Sequence, residues 1–462
     1  MKNLIIKRTM ILFVSFSLIT ACEFGDTNVD PAVPTDVAMS ALLPSGETAV
    51  SWAIGGEIVR ISGLLTQQFE GINAQQEDNY RYLIRDADMD GVWQRMYHNS
   101  LNTINVIIKK ADEQNAPHYK GVAQVLMAAG IGTFTDAFGD IPYSNAFQAE
   151  QGNFTPTYDT QQELYGSTLP NLLDEAIANL SAAESLGGSP GGDDLIFGGD
   201  LNAWIAAANA LKMRYTFQSA KQNASAYDDA LALLPDAIAS NNEDFEMIFG
   251  SGANEVNPQF QFSQSRAGNI KMGEYFTTAF SADDSRSTLL LDGPLFETGN
   301  ADSPSYYASG NSPVVLMSYV EVKFIEAESQ LMRGAQDLAA AKAALDDGVS
   351  ASFQKITGAG VPANYQTDLD ARWAAATTDI ERLEVIIDEK YLACFSQSLI
   401  AWNDYRRTGF PALTVVTGGT NAFNSNGEIP RRLPYPQEER LLNLSNLPIQ
   451  TPNLQTRFWW DQ

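Results

Sequence analysis

Apolar residues recur every three or four positions over long stretches of this chain, the spacing that lines one face of an α-helix. Trp93, Tyr97, Ser100, Ile104, Ile108 and Ala111 form one such stripe. Pro117 suits a first helical turn, and Val122, Leu126 and Ala129 continue from it. Leu169, Leu173, Ala176 and Leu180 form another, with Pro170 expected to kink its start. Asp200 is placed to cap a helix carrying Trp204, Ala208, Leu211 and Tyr215. Ser225 and Asp228 have the spacing of a capping box before Tyr227, Leu231, Leu234 and Ile238. Leu316, Val320, Phe324, Ala327 and Leu331 run to a stop at Gly334, and Leu338, Ala341 and Leu345 start again beyond it. Leu383, Ile387, Tyr391, Cys394 and Ser398 make the last long stripe. Helix, short turn and helix recur. The pattern predicts an all-α fold, a superhelix of tetratricopeptide-like helix pairs with little β structure.

Long irregular segments separate these stripes, at 66–88, 139–157, 187–199, 250–269, 283–313, 358–370 and 408–462. Loops of such length in a compact domain are commonly functional. They are rich in Asn, Gln, Gly, Ser and Tyr, a mixture that offers flat rings for stacking and amides for hydroxyl groups. Ligand-binding candidates are therefore Phe69, Asn73, Tyr80, Arg81 and Tyr82 in the first loop, and Tyr306, Tyr307 and Asn311 in a later one. Tyr306 and Tyr307 have no periodic apolar pattern around them and read as exposed. Trp93, just beyond the first loop, either presents a ring face or anchors the core.

The N-terminus departs from this pattern. Lys2, Lys7 and Arg8 precede an almost wholly apolar run from Met10 to Ile19, which Thr20-Ala21-Cys22 closes. That is the form of a secretory signal peptide, with a core of about ten residues against the ~20 a membrane-spanning helix needs. Small residues before a cysteine resemble a bacterial lipoprotein signal, in which Cys22 is lipidated and becomes the first mature residue. Residues 1–21 are then the signal, 22–35 an acidic tether, and 36–462 a single domain attached to the membrane through its lipid alone.

Charge narrows the partners. The chain carries 56 acidic and 29 basic residues, a formal net charge of −27, which repels nucleic acid and anionic membranes. Only Cys394 remains after Cys22, so the mature chain holds no internal disulfide. Gly187-Gly-Ser-Pro-Gly191 matches the G-x-S-x-G pattern, but a nucleophile elbow needs a preceding strand and a later histidine, whereas His98 and His118 both come earlier. Asp86, Asp88 and Asp90 before Gly91 reproduce the first half of a calcium loop, with Tyr97 where a bidentate Glu belongs. They admit either a calcium ion or a cap on the Trp93 helix. No cofactor is otherwise called for, and no catalytic constellation stands out.

Several segments resemble one family. Asp136-Ala-Phe-Gly-Asp-Ile-Pro-Tyr-Ser-Asn-Ala-Phe147 is similar to a turn of the SusD/RagB nutrient-binding outer-membrane lipoproteins. So are Met272-Gly-Glu-Tyr-Phe276 with Asp283-Asp-Ser-Arg286, where serine replaces the usual proline, and Tyr319-Val-Glu-Val-Lys-Phe-Ile-Glu-Ala-Glu328. Trp402-Asn-Asp-Tyr-Arg-Arg-Thr-Gly-Phe-Pro411 and Ile429-Pro-Arg-Arg-Leu-Pro-Tyr-Pro436 resemble its C-terminal signatures. The resemblance implies a non-enzymatic surface protein that captures oligosaccharide, or peptide in some relatives, for a TonB-dependent, SusC-like transporter. A surface glycoside hydrolase is the alternative from another class. Arg406, Arg407, Arg431 and Arg432 read as structural, since arginine forks commonly lock carboxylates and carbonyls.

Overall fold

In this computed structural model the described residues are 37–252, 255–291, 307, 309–449 and 453–462; Cys22, the tether and Tyr306 lie outside them. From Met39 the chain is helical at once. α1 (Met39–Ala53), a π-helical turn (Ile54–Ile58) and α2 (Val59–Leu65) form one bent rod, with the bend at Gly56, whose φ and ψ are −87° and −110°. A short strand β1 (Phe69–Gly71) and helix α3 (Ala74–Tyr80) follow. α4 (Asp90–Gln94), a second π-helical turn (Arg95–Leu101) and α5 (Asn102–Gln114) then run on continuously. The π turn advances the register, so Ile107 rather than Ile108 is fully buried beside Ile104 and Ala111.

Asn115 takes a left-handed φ of 56° and ends α5; Pro117 opens α6 (Pro117–Phe138) two residues later. α6 is long and apolar enough to cross a membrane, yet 94% of its apolar window is buried within the protein, as in a core helix. The kink expected at Pro170 appears as a π-helical turn, Leu164–Thr168, ahead of α7 (Leu169–Leu180). Asp200 caps α8 (Leu201–Gln218) through Asn202 N and Ala203 N at 2.9 and 3.2 Å. The capping box at Ser225 does not form. Ser225 Oγ donates to Asp229 Oδ2 at 2.6 Å, and α9 (Ala226–Leu233) ends before Pro235, short of Ile238.

Next come β2 (Phe245–Ile248), α10 (Pro258–Ser265), β3 (Ile270–Met272), α11 (Glu274–Ala279), α12 (Arg286–Leu291) and β4 (Pro313–Met317). Leu316 lies in β4, because Ser318 accepts from Glu321 N and starts α13 (Tyr319–Met332) only after it. α14 (Leu338–Thr357), α15 (Ala363–Ala375), α16 (Asp379–Ala393), α17 (Ser398–Thr408) and α18 (Gln437–Leu442) complete the series.

Neighbouring helices pack in turn: α5 on α6, α6 on α7, α7 on α8, α8 on α9, and α13 on both α14 and α16. β1 pairs antiparallel with β3 and β2 with β4, two ribbons of two strands each. The fold is all-α, stacked helix pairs with small β elements on the loop-rich side, and contacts gather Met39–Gln462 into one unit. Its interior holds charges with partners. Arg214 is bidentate to Glu321 at 2.7 and 2.5 Å. Arg431 locks Asp461 at 2.7 and 2.6 Å, and Arg406 donates to the Asp136 carbonyl at 2.8 Å. Arg431, whose carbonyl accepts from Arg406, thereby fastens the C-terminal tail, as the sequence suggested. Cys394 is buried, and burial raises its thiol well above the usual range.

Candidate ligand-binding site

The bend in the α1–α2 rod brings the helix close to strand β4. A Cβ at Gly55 would meet Val314 Cγ2 at 2.5 Å, so only glycine allows the approach. At the π turn Gln259 Nε2 of α10 donates to the Gly55 and Gly56 carbonyls at 2.6 Å, and the Gly56 carbonyl also accepts from Val59 N. Arg60, one turn beyond the bend, faces α10 and lies with Cζ 3.9 Å from the Phe262 ring centroid. It is only 7% exposed, has no hydrogen bond or ion pair among the described residues, and keeps a buried, unpartnered Nε. Burial pulls its guanidinium down to about 10; Glu57 opposes that shift and Arg95 adds to it.

Arg95 opens the second π turn and repeats the arrangement. Its Cζ lies 4.4 Å from the Trp52 ring of α1, and its guanidinium likewise has no acceptor among the described residues. Trp52 and Arg95 line a cleft of about 450 Å³ with Ser45, Thr48 and Asn99. Two guanidinium planes stacked on rings thus stand beside one carboxylate, Glu57, with their donors uncommitted. Such planes hydrogen-bond vicinal hydroxyls or a carboxylate at their edges, while the rings offer a flat apolar face. π-helical turns recur at functional sites, and two of them converge here.

The candidates from the sequence lie elsewhere, and several are corrected. Phe69 is buried edge-on to Phe395 at 5.7 Å; Tyr82 is fully buried, its hydroxyl accepting from Val416 N at 3.0 Å. Trp93 is a core anchor packed on Tyr97, Phe134 and Phe138. Tyr307, read as exposed, is 4% exposed and packs 6.0 Å from Phe395. Rings so enclosed cannot stack on a ligand. Asn73 caps α3 by accepting from Ala74 N, and Arg81 donates to the Gly418 carbonyl at 2.9 Å. Tyr80 is half-buried and Asn311 exposed.

The three aspartates of the half calcium loop diverge. Asp86 pairs with Arg440 at 2.7 Å, Asp88 accepts from Gln75 and from Arg85 N, and Asp90 accepts from Glu438 N. Among the described residues no group of three or more His, Cys, Asp or Glu is placed to hold a metal. Asp88 accepts from the Arg85 backbone and caps the short 3-10 turn Asp86–Met89, whereas the Trp93 helix has Met89 at its N-cap, without the side-chain cap expected of Asp88 or Asp90. The G-x-S-x-G segment is a loop, although Ser189 Oγ lies 2.7 Å from His118 Nδ1 while His118 Nε2 donates to the Ala182 carbonyl. Sequence reading missed Trp52, Arg60, Arg95 and Phe262. The available signal was a charge inside the apolar run Ile58-Val59-Arg60-Ile61, just after two glycines.

Known structures share the fold. A SusD/RagB family protein from Bacteroides thetaiotaomicron superposes with a TM-score of 0.74 at 22% identity, over 92% of this chain and 99% of that one. A SusD homologue from Bacteroides uniformis gives 0.72 at 24% identity, over 92% and 100%. A chitin-binding SusD homologue from Flavobacterium johnsoniae gives 0.70 at 22% identity, over 91% and 98%. No curated protein matches the chain significantly. The family model SusD-like_2, described as starch-binding associating with outer membrane, matches residues 34–436, and the chain belongs to that family.

Proposed function

We propose that the protein captures nutrient oligosaccharide at the cell surface and delivers it to a partner TonB-dependent transporter of the outer membrane. The observation that carries the ligand half of this reading is Arg60: a nearly buried guanidinium, stacked on Phe262, with no acceptor of its own. A buried charge left unpaired is costly, and a ligand oxygen that reaches it recovers that cost. Trp52 and Arg95 supply the adjoining ring and donors. The chitin-binding description of one structural neighbour supports a glycan as the ligand class. The site binds without breaking bonds.

The anchor and the partner rest on the sequence. Cys22 after an apolar signal is the attachment point, and acidic residues behind it favour export to the outer face. Calorimetry of the mature chain against neutral glycans, uronic-acid glycans and peptides tests the ligand class. Binding of glycan that disappears in Arg60→Met supports the reading, and tight binding of peptides alone overturns it. Metabolic labelling with a fatty acid, lost in Cys22→Ser, tests the anchor. Copurification with a transporter from solubilised outer membranes tests the partner.

A further inference from the structure

A second cleft, of about 540 Å³, opens between α11, α15 and α16, and none of its lining residues belongs to the Arg60 site. Its walls combine rings with carboxylates. Tyr275 and Phe280 are half-exposed there, and Tyr391 stands behind Tyr275 at 5.9 Å, edge to face. Arg372 is the one cation of the lining, and it is paired within the protein. It pairs with Glu389 and, through Nε at 2.8 Å, with Asp368. Glu389 also accepts from the Tyr365 hydroxyl at 2.7 Å.

Asp388 has no such partner. It is half-buried, makes no hydrogen bond or ion pair among the described residues, and faces Glu384 one turn back on α16, equally unpaired. Burial, then Glu384, push its carboxyl up to about 6 against the pull of Arg372. The same two acids act on the Tyr275 phenol, whose hydroxyl is also without a partner. The cleft therefore has surplus negative charge beside a ring face. The carboxylates do not converge on a point a bare metal ion could occupy. A larger cation, carried on a body flat enough to lie on Tyr275, meets both conditions.

We infer that this cleft is a second binding site, separate from Arg60, for an oligosaccharide containing an amino sugar with a free amine. The ammonium stands at the Asp388 carboxylate, and the C–H face of the sugar ring lies on Tyr275 and Phe280. A neutral or N-acylated sugar gains only the stacking.

The test is calorimetry of the mature chain with a glucosamine hexamer, its N-acetylated counterpart and tri-lysine. The wild type and the Arg60→Met, Asp388→Asn and Tyr275→Ala variants are compared, with thermal melts checking that each folds. The expected result is at least tenfold tighter binding of the free-amine hexamer than of the acetylated one. Asp388→Asn should abolish that preference, Tyr275→Ala should weaken binding of both hexamers, and Arg60→Met should leave the preference intact. Loss of acetylated-glycan binding in Arg60→Met alone reports on the first site and leaves this preference readable. Equal affinity for the two hexamers, a preference that survives Asp388→Asn, or tri-lysine binding as tight as the hexamer overturns the inference.

Discussion

Arg407 and Arg60 are buried to almost the same depth, 5% and 7% exposed, and each lies over a phenylalanine ring, Phe217 at 4.4 Å and Phe262 at 3.9 Å. Each also keeps a buried Nε without a partner, and they differ at the terminal nitrogens. Arg407 grips Glu328 with both terminal nitrogens and reaches Asp404 at 3.0 Å, and those acids hold its guanidinium firmly charged. Arg60 grips nothing, and burial pulls its guanidinium down. The first pins α17 to α13 through its terminal nitrogens. The second has no acceptor for its terminal nitrogens among the described residues. Burial alone does not tell a structural arginine from a binding one; the acceptor does.

The largest effect should come from breaking a completed pair. Glu328→Ala leaves Arg407 buried with only Asp404, so chemical denaturation should show a loss of about 3–5 kcal/mol. Glu47 is an acid in the open condition: it is fully buried beside Asp194, accepts from Leu195 N, and has an unpartnered Oε1. Burial, then Asp194, raise its carboxyl to about 10 from an ordinary 4.5, so it is carried neutral. Its folded form binds the proton more tightly than the unfolded chain. Its stabilising contribution is therefore complete below about 4.5 and is lost as pH rises toward 10, at about 1.4 kcal/mol per pH unit. Glu47→Gln keeps both hydrogen-bonding roles without the proton. At pH 8 it should gain on the order of 4–5 kcal/mol in denaturant titrations, and the gain should vanish near pH 4.

Arg60→Met keeps the packing on Phe262 and removes an unpaired charge. Stability should rise by about 1–3 kcal/mol while glycan binding is lost, the reverse of the Arg407 pair. A fall in stability would mean Arg60 is structural after all. Trp52→Ala should weaken binding by about 1–2 kcal/mol in calorimetry, since only the stacking face is removed. Asp200→Ala, a cap on the scaffold far from any charge pair, should cost about 1 kcal/mol in thermal melts and leave binding alone.

The scaffold was readable where one apolar face repeats without interruption. Leu169, Leu173, Ala176 and Leu180 are all buried, as are Val320, Phe324, Ala327 and Leu331. It was unreadable where the helix carries extra residues or unusual ones. The π turn at Arg95 shifts a stripe by one position, which a fixed period cannot anticipate. The α1–α2 rod was hidden by Pro44, Gly46, Gly55, Gly56 and Gly63, which suggest a broken segment. Several of those glycines serve close contact instead: a Cβ at Gly46 would meet Ile104 at 2.7 Å and one at Gly63 would meet Phe69 at 2.4 Å. The site was missed for a related reason. Polar, tyrosine-rich loops drew attention to rings that tertiary contacts bury, such as Tyr82 and Tyr307, whereas the open donors sit on bent helices.

The sulfur of Cys394, walled in between helices and held as an unreactive thiol, makes the folded chain silent to alkylating dyes. With Cys22 replaced by serine, a dye at saturating concentration therefore marks only molecules in which the core around Cys394 has opened. The rate at which the label accumulates is a built-in clock for that opening, and it needs no engineered reporter.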